Sequence, residues 1–331
     1  MKIVTDLRSF DRKKFPGLVV ALGNFDGVHL GHRAIIKKIS DRAKRIGGIS
    51  AVFTFKEHPQ RILHRKEDPA ILTSLSHKLY LLEQYGLDLC FLIDFTIEFS
   101  KKKPEEFVKQ IFVNALGAQE ICMGFNARFG HDRSGNSEFM KELSRKYGFV
   151  FLEAPPLKIE KKVISSSLIR SLIRKGDLGK TKKFLGRPYS FFGTIVKGSG
   201  RGSGLGFPTA NLDPHSEVLP PEGVYAAWVR ILDLQLKKNK SGFSSLKRNI
   251  VGDHLKAVLN YGKRPTFGKS KKPIPEVHLF NYHRDLMNKT VEVIIGKRLR
   301  SERAFKSPSA LSAQIKKDIE ASQIWFARSA S

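Results

Sequence analysis

The stretch that most restricts how this chain can fold is Gly23-Asn24-Phe25-Asp26-Gly27-Val28-His29-Leu30-Gly31-His32. An apolar run, Leu18-Val19-Val20-Ala21-Leu22, leads into it, and Arg33-Ala34-Ile35-Ile36-Lys37-Lys38-Ile39 follows with the apolar spacing of a helix. A strand therefore enters a glycine turn that opens directly into a helix. Such a turn exposes backbone N–H groups beside the positive end of the helix, which favours phosphate. His29 and His32 are three apart, so on a helix they would share a face beside those donors. Asp26-Gly27 by itself reads as an ordinary turn with incidental histidines. Glycines and two histidines between a strand and a helix predict a nucleotide site.

Strands and helices then alternate. Residues 49–55, 88–95, 120–125 and 149–153 have apolar, β-branched strand patterns, and residues 75–85, 104–116 and 137–147 read as helices. Pro104 near the first turn and Gly117 just past the end bound the middle helix. This alternation predicts an α/β domain built on a parallel sheet covered on both faces. Ligands of such sheets bind at the C-terminal strand ends. Three further segments should collect there: Lys56-Glu57-His58-Pro59, the run Gly124-Phe125-Asn126-Ala127-Arg128-Phe129-Gly130, and Ile164-Ser165-Ser166-Ser167-Leu168-Ile169-Arg170. Serines at a helix start cap it and can also hold a phosphate.

From Leu185-Gly186-Arg187-Pro188-Tyr189 onward the long helices stop and the chain becomes rich in glycine and short strands. Gly198-Ser199-Gly200-Arg201-Gly202-Ser203-Gly204 alone would pass for a flexible linker. Its continuation, Gly206-Phe207-Pro208-Thr209-Ala210-Asn211, sets a hydroxyl and an amide two apart on a proline-fixed segment, an oxygen pair suited to magnesium on ATP. Strand patterns recur around residues 191–197, 223–230, 255–260, 276–280 and 290–295, which suggests an antiparallel barrel. The run Lys237-Lys238-Asn239-Lys240-Ser241-Gly242 reads as an exposed loop, and residues 309–326 as a closing helix.

The motifs together resemble one family. Gly-x-Phe-Asp-Gly-Val-His-x-Gly-His, Phe-Thr-Phe-x-x-His-Pro, Gly-Phe-Asn-x-Arg-Phe-Gly and Ile-Ser-Ser-x-x-Ile-Arg are similar to the adenylyltransferase half of the bacterial bifunctional riboflavin kinase/FAD synthases. Gly-Phe-Pro-Thr-Ala-Asn-Leu, Gly-Val-Tyr-Ala, Asn-x-Gly-x-Arg-Pro-Thr-Phe, Glu-Val-His-Leu and Leu299-Arg300-x-Glu302 resemble the kinase half. The resemblance implies a Rossmann-like nucleotidyltransferase domain over residues 1–184 and a six-stranded barrel with a terminal helix over residues 185–331. It implies two ATP-dependent steps, riboflavin to FMN and FMN to FAD with release of pyrophosphate, both assisted by Mg²⁺.

Residue by residue, His29 and His32 would lie on the ATP phosphates, cradled by the Gly23, Asn24, Phe25, Asp26 and Gly27 backbone. Asn126 would contact the reacting nucleotide, and Ser165, Ser166 and Arg170 would hold phosphates. In the kinase half, Glu276 would be the general base on the ribityl hydroxyl, with Thr209 and Asn211 holding Mg²⁺. Gly198, Gly200, Arg201, Gly206, Pro208, Asn260, Arg264 and Arg300 would complete the ATP and flavin sites. Four positions depart from the family pattern: Glu57 in place of proline, Ala127 of an aromatic residue, Ser203 of a basic residue and Asn281 of aspartate.

The chain's 59 basic and 31 acidic residues give a net charge of +28. Such a balance raises nucleic acid as a rival partner. The excess divides equally, +14 in residues 1–184 and +14 in residues 185–331, with no basic tail and no base-reading motif. The sequence therefore predicts small-molecule partners, with no specific nucleic acid and no membrane span. It is compatible with a homo-oligomer. No signal peptide is apparent, and Cys90 and Cys122 lie in strand-like runs, which predicts buried thiols in a reducing cytoplasm.

Overall fold

The computed structural model describes residues 1–63, 70–197, 207–238, 244–262 and 273–329. The chain divides into two compact units. The first comprises Met1–Ile71, Leu75–Ser166 and Gln235–Lys247; the second comprises Leu72–Ser74, Ser167–Leu234 and Arg248–Ser331.

In the first unit, β1 (Lys2–Val4), β2 (Leu18–Leu22), β3 (Ile49–Phe55), β4 (Leu89–Ile93), β5 (Glu120–Gly124) and β6 (Val150–Ala154) lie in the order β1-β4-β3-β2-β5-β6. Every neighbouring pair in that order is parallel. β2 is central and all five of its residues are buried, as a strand with neighbours on both edges and cover on both faces must be. Helix Leu30–Arg45 leaves β2 and turns Ile36, Ile39 and Ala43 inward, while Arg42 makes an ion pair with buried Glu120 of β5. Much of the core on the far side is phenylalanine. Phe53, Phe55, Phe99, Phe107, Phe112 and Phe129 pack largely edge to face at centroid distances of 5.1–6.1 Å.

Two local features depart from the sequence reading. The segment expected as one helix over residues 104–116 is α-helical only at Pro104–Phe107 and is a π-helix from Val108 to Ala115. The Leu116 N–H donates to the Ile111 carbonyl, five residues back. The wider turn brings Phe107, Val108, Ile111 and Phe112 into the core together. The short β1 was also not anticipated. At Lys2–Val4 it offers two apolar residues, too few for periodicity, yet it pairs with β4, and Ile3 is fully buried.

A two-stranded hairpin of β7 (Lys158–Ile159) and β8 (Lys162–Val163) leads to helix Ser166–Arg174 and helix Leu178–Leu185. The second unit then forms a closed barrel of β9 (Ser190–Val196), β10 (Ala210–Asp213), β11 (Gly223–Lys238), β12 (Ser244–Gly262), β13 (Ile274–Leu279) and β14 (Thr290–Ser301). The order is β11-β14-β9-β10-β13-β12, and β11 pairs with β12 to close the ring. The pairings of β14, β9, β10, β13 and β12 around it are antiparallel. Lys237 and Lys238, expected in an exposed loop, are the last residues of β11; residues 239–242 of that loop lie outside the described residues. Helix Pro308–Ser329 ends the chain. Phe326 is buried beside Trp228, and Arg300 of β14 grips Asp318 with hydrogen bonds of 2.9–3.1 Å.

Candidate functional site

Register brings the marked segments of the first unit together. Leu22 of β2 is level with Phe53 of β3 and Met123 of β5, and Gly124 is level with Ala154 of β6. The chain therefore leaves these strands at one edge of the sheet, and Gly23–His32 emerges between Thr54-Phe55 and Gly124-Phe125. The turn is tightly folded. Gly23 N–H donates to the Phe53 carbonyl and Val28 N–H to the Phe25 carbonyl, both at 3.1 Å. Phe25, Gly27 and Val28 have φ of 50°, 84° and 37°, so three of four successive residues are left-handed. Phe25 and Val28 are fully buried, and packing holds what the backbone resists.

His29 is not the first helical residue, as the shared-face reading assumed. It is the N-cap, with φ −74° and ψ 173°, and its Nδ1 accepts the His32 backbone N–H at 3.3 Å. The cap folds its ring over the first turn, where it stacks on His32 with centroids 3.6 Å apart and planes 13° apart. Gly31 permits this, since a Cβ there would lie 3.2 Å from the His29 ring. The two imidazoles thus form a single stacked pair at the helix N-terminus, brought together by the cap rather than by a shared helix face. The Ser166 hydroxyl donates to the Asp26 carbonyl at 3.0 Å, which ties a second helix start to the same turn. Asn126 is exposed in the turn after β5. Arg170 belongs to the second unit, where its guanidinium contacts the Ser167 hydroxyl at 3.4 Å.

In the barrel, Asn211 of β10 is the direct partner of Glu276 of β13, and Glu276 is the direct partner of Asn260 of β12. Directly opposed residues project to the same face, so an amide, a carboxylate and an amide form a row across three strands. Asn211 is buried, and the Asn260 Oδ1 is buried without a hydrogen-bond partner among the described residues. Pro208 and Thr209 are exposed just before β10, and the Pro208 carbonyl is 2.8 Å from the His278 ring. Gly198, Gly200, Arg201, Gly206 and Arg264, and with them Ser203, lie outside the described residues. Arg300 is committed to Asp318 and to the Ser301 carbonyl.

Glu302 closes the motif Leu299-Arg300-x-Glu302 but has no role assigned from it. Its Oε2 is buried without a hydrogen-bond partner among the described residues, and its side chain fills the space over Gly262, where a Cβ would lie 2.8 Å from its carboxyl carbon. Burial raises its pKa above the ordinary glutamate range; Arg300 opposes this, and the carboxylates of Glu222, Glu276 and Asp318 add to it. The like-charge coupling puts Glu302 within electrostatic reach of Glu276, which neither residue's place in the sequence could show.

An α/β unit with a tight glycine turn and a stacked histidine pair, joined to a barrel with a carboxylate between amides, is the arrangement expected of a two-domain transferase. Residues 11–168 match the FAD synthetase family and residues 185–326 the riboflavin kinase family. Over 326 residues the chain is 32% identical to the bifunctional riboflavin kinase/FMN adenylyltransferase of Haemophilus influenzae, covering 98% of this chain and 99% of that one. With the Bacillus subtilis protein of the same name it shares 33% identity over 305 residues, 91% of this chain and 90% of that one. A solved structure described as a macrolide-efflux protein from Streptococcus pneumoniae superposes with a TM-score of 0.76 at 27% identity, covering 98% and 99% of the two chains. Among the described residues of this chain, no helix is long and apolar enough to cross a membrane. The chain belongs to the bifunctional riboflavin kinase/FMN adenylyltransferase family.

Proposed function

We propose that this enzyme of flavin cofactor biosynthesis adenylylates FMN to FAD in residues 1–184 and phosphorylates riboflavin to FMN in residues 185–331, with both steps in the cytoplasm. In the first domain the Gly23–Gly27 backbone and the His29–His32 pair receive the ATP phosphates, and Asn126, Ser165 and Ser166 complete the site. An FMN phosphate oxygen attacks the α-phosphorus of ATP, its O–P bond forms as the bond to the β-phosphate oxygen breaks, and pyrophosphate leaves. Anions meet in this step, so catalysis is positioning and charge neutralisation and needs no side-chain nucleophile.

In the barrel the ribityl hydroxyl attacks the γ-phosphorus of a second ATP while Glu276 takes the hydroxyl proton. Such a base contributes on the order of 10²–10⁴-fold in rate. The observation that carries this assignment is the row Asn211–Glu276–Asn260, which aligns the carboxylate with two amides on one face. The donor set suits Mg²⁺: the Thr209 hydroxyl and the Asn211 amide oxygen are hard oxygen ligands, and the unpartnered Asn260 Oδ1 lies in the same row. Bound there, Mg²⁺ would neutralise phosphate charge. Among the described residues no cluster of three or more His, Cys, Asp or Glu could hold a metal, so phosphate oxygens would supply the remaining ligands. The departures at Glu57, Ala127, Ser203 and Asn281 are expected to alter flavin and phosphate affinities rather than the reactions.

Chromatography of flavins after incubation with riboflavin and Mg-ATP tests the reading. Wild type should yield FMN and then FAD. Glu276→Gln should abolish FMN formation while leaving FAD synthesis from added FMN, and His32→Ala should do the reverse. Loss of both activities in either folded variant would refute the division of labour.

A further inference from the structure

Lys78 lies in helix Leu75–Glu83 and is only 7% exposed. Its ammonium donates to the Phe55 carbonyl at 2.6 Å and lies 3.4 Å from the Thr54 hydroxyl and 3.5 Å from the Asn24 carbonyl. The Thr54 hydroxyl itself donates to the Asn24 carbonyl at 3.2 Å. A buried cation thus joins the end of β3 to the first residues of the nucleotide turn. An apolar residue of similar length would fill this space in an otherwise apolar helix face without bringing a charge out of water, so the cation calls for a function.

The geometry of the peptide supplies one. Across a trans peptide the carbonyl and the following N–H point in opposite directions, and there is no cis peptide among the described residues. The Asn24 carbonyl is turned inward onto Thr54 and Lys78, so the Phe25 N–H is turned away from that interior. Phe25 is itself left-handed, with φ of 50°, a conformation that reverts unless held. We propose that Lys78 is a positioning residue for FMN adenylylation, its ammonium holding the Asn24 and Phe55 carbonyls so that the Phe25 N–H is presented to the ATP phosphates. The inference rests on reading Gly23–His32 as the adenylyl-transfer site.

The groups that face Lys78 make the device sensitive to pH. Of the titratable groups facing it, Cys90, in β4, would favour the ammonium only as a thiolate and Asp26, in the turn, favours it as a carboxylate, while β3 presents only the uncharged Thr54 and Phe55 atoms. Burial outweighs both and lowers Lys78 to about 8. The ammonium is therefore charged at neutral pH and loses its proton just above it. Cys90 is pushed up to about 12 by burial and does not titrate in this range.

The test measures FMN adenylylation by the full chain between pH 6.5 and 9.5 for wild type, Lys78→Met and Lys78→Arg, with riboflavin phosphorylation in the same samples as a control on the barrel. Wild-type kcat/KM should fall about tenfold per pH unit above the Lys78 midpoint. Lys78→Met should be slower on the order of ten- to a hundredfold at pH 7, the loss of a charge-assisted hydrogen bond, and should lack that fall. Lys78→Arg, whose guanidinium stays charged, should retain more activity than wild type at pH 9.5. A Lys78→Met variant with wild-type kcat/KM and an unchanged profile overturns the proposal. The Phe25 amide resonance of wild type gives a readout that needs neither a variant nor turnover. It should titrate with a midpoint near that of Lys78, and a flat titration also overturns the proposal. If wild type forms no FAD but the amide titrates, the adenylyl-transfer reading fails and the structural coupling stands.

Discussion

Burial of Lys78 has a consequence for stability that can be worked from its titration. The unfolded chain holds this proton to the ordinary lysine value of 10.5, the folded chain only to about 8. Between those values the unfolded state binds more protons, so stability must rise with pH across the window. The difference of ~2.5 units corresponds to a destabilisation of ~3.4 kcal/mol at pH 7. At pH 9.5 the folded-state lysine is neutral and the unfolded one still largely charged, which leaves ~1.4 kcal/mol. Wild type should therefore gain ~2 kcal/mol on Lys78→Met between pH 7 and pH 9.5, because every other titrating group cancels in the comparison. Urea titrations at the two pH values, followed by far-ultraviolet circular dichroism, measure it. Both tryptophans, Trp228 and Trp325, lie in the second unit, so their fluorescence serves as an internal control that the substitution should leave unmoved. A stability difference between wild type and Lys78→Met that is the same at both pH values would refute the reasoning.

Three further expectations follow from packing. Gly48→Ala would place a Cβ 2.0 Å from the Gly17 carbonyl oxygen, with no side chain to yield, and should destabilise the first unit by at least ~3 kcal/mol in the same urea assay. Gly296→Ala would drive a Cβ to 2.2 Å from the Trp325 ring, so the helix that carries Trp325 should shift outward at a cost of ~1–3 kcal/mol, seen as a red shift of tryptophan emission in native protein. Cys90 and Cys122 are both fully buried, and burial pushes each thiol up to about 12. Neither should react with an aromatic disulfide reagent at pH 8 until denaturant is added, when both should react.

What could be read beforehand was what depends on neighbours along the chain. Leu18–Leu22 reads as a strand because all five residues are apolar, and Gly23–His32 reads as a turn opening a helix because its glycines and histidines fall within ten residues. What depends on pairing across the chain could not be read. Asn211, Glu276 and Asn260 each sit in a recognisable motif, yet their alignment is a property of strand register. Arg300 illustrates the same limit from the other side. Its motif suggests a ligand contact, and its guanidinium is paired with Asp318, 18 residues later, on a helix whose rotation no local pattern specifies. Lys78 carries no signal in the sequence because a lysine within a helical pattern is ordinarily solvated, and only the burial of His77, Lys78, Leu79, Tyr80, Leu81 and Leu82 together reveals a helix enclosed on most sides.

These particulars explain where the first unit concentrates its unfavourable terms. Its strands carry little strain and almost no charge: β2 is wholly apolar and buried, and β3 and β4 are nearly so. The left-handed backbone of Phe25 and Val28, the buried Asp26 and the buried Lys78 all belong to one turn and its support. Left-handed non-glycine residues are worth ~1–3 kcal/mol each against the fold, comparable to the burial of the lysine charge. A turn selected for stability alone would shed the buried charge, with an apolar residue at 78, whereas glycine at 25 or 28 would relieve the backbone only by emptying a fully buried side-chain site. Lys78→Met should therefore raise the melting temperature of the first unit while slowing FMN adenylylation and sparing riboflavin phosphorylation, as the proposed positioning role requires. A Lys78→Met variant that gained stability and kept wild-type FAD synthesis would show that the buried charge is incidental.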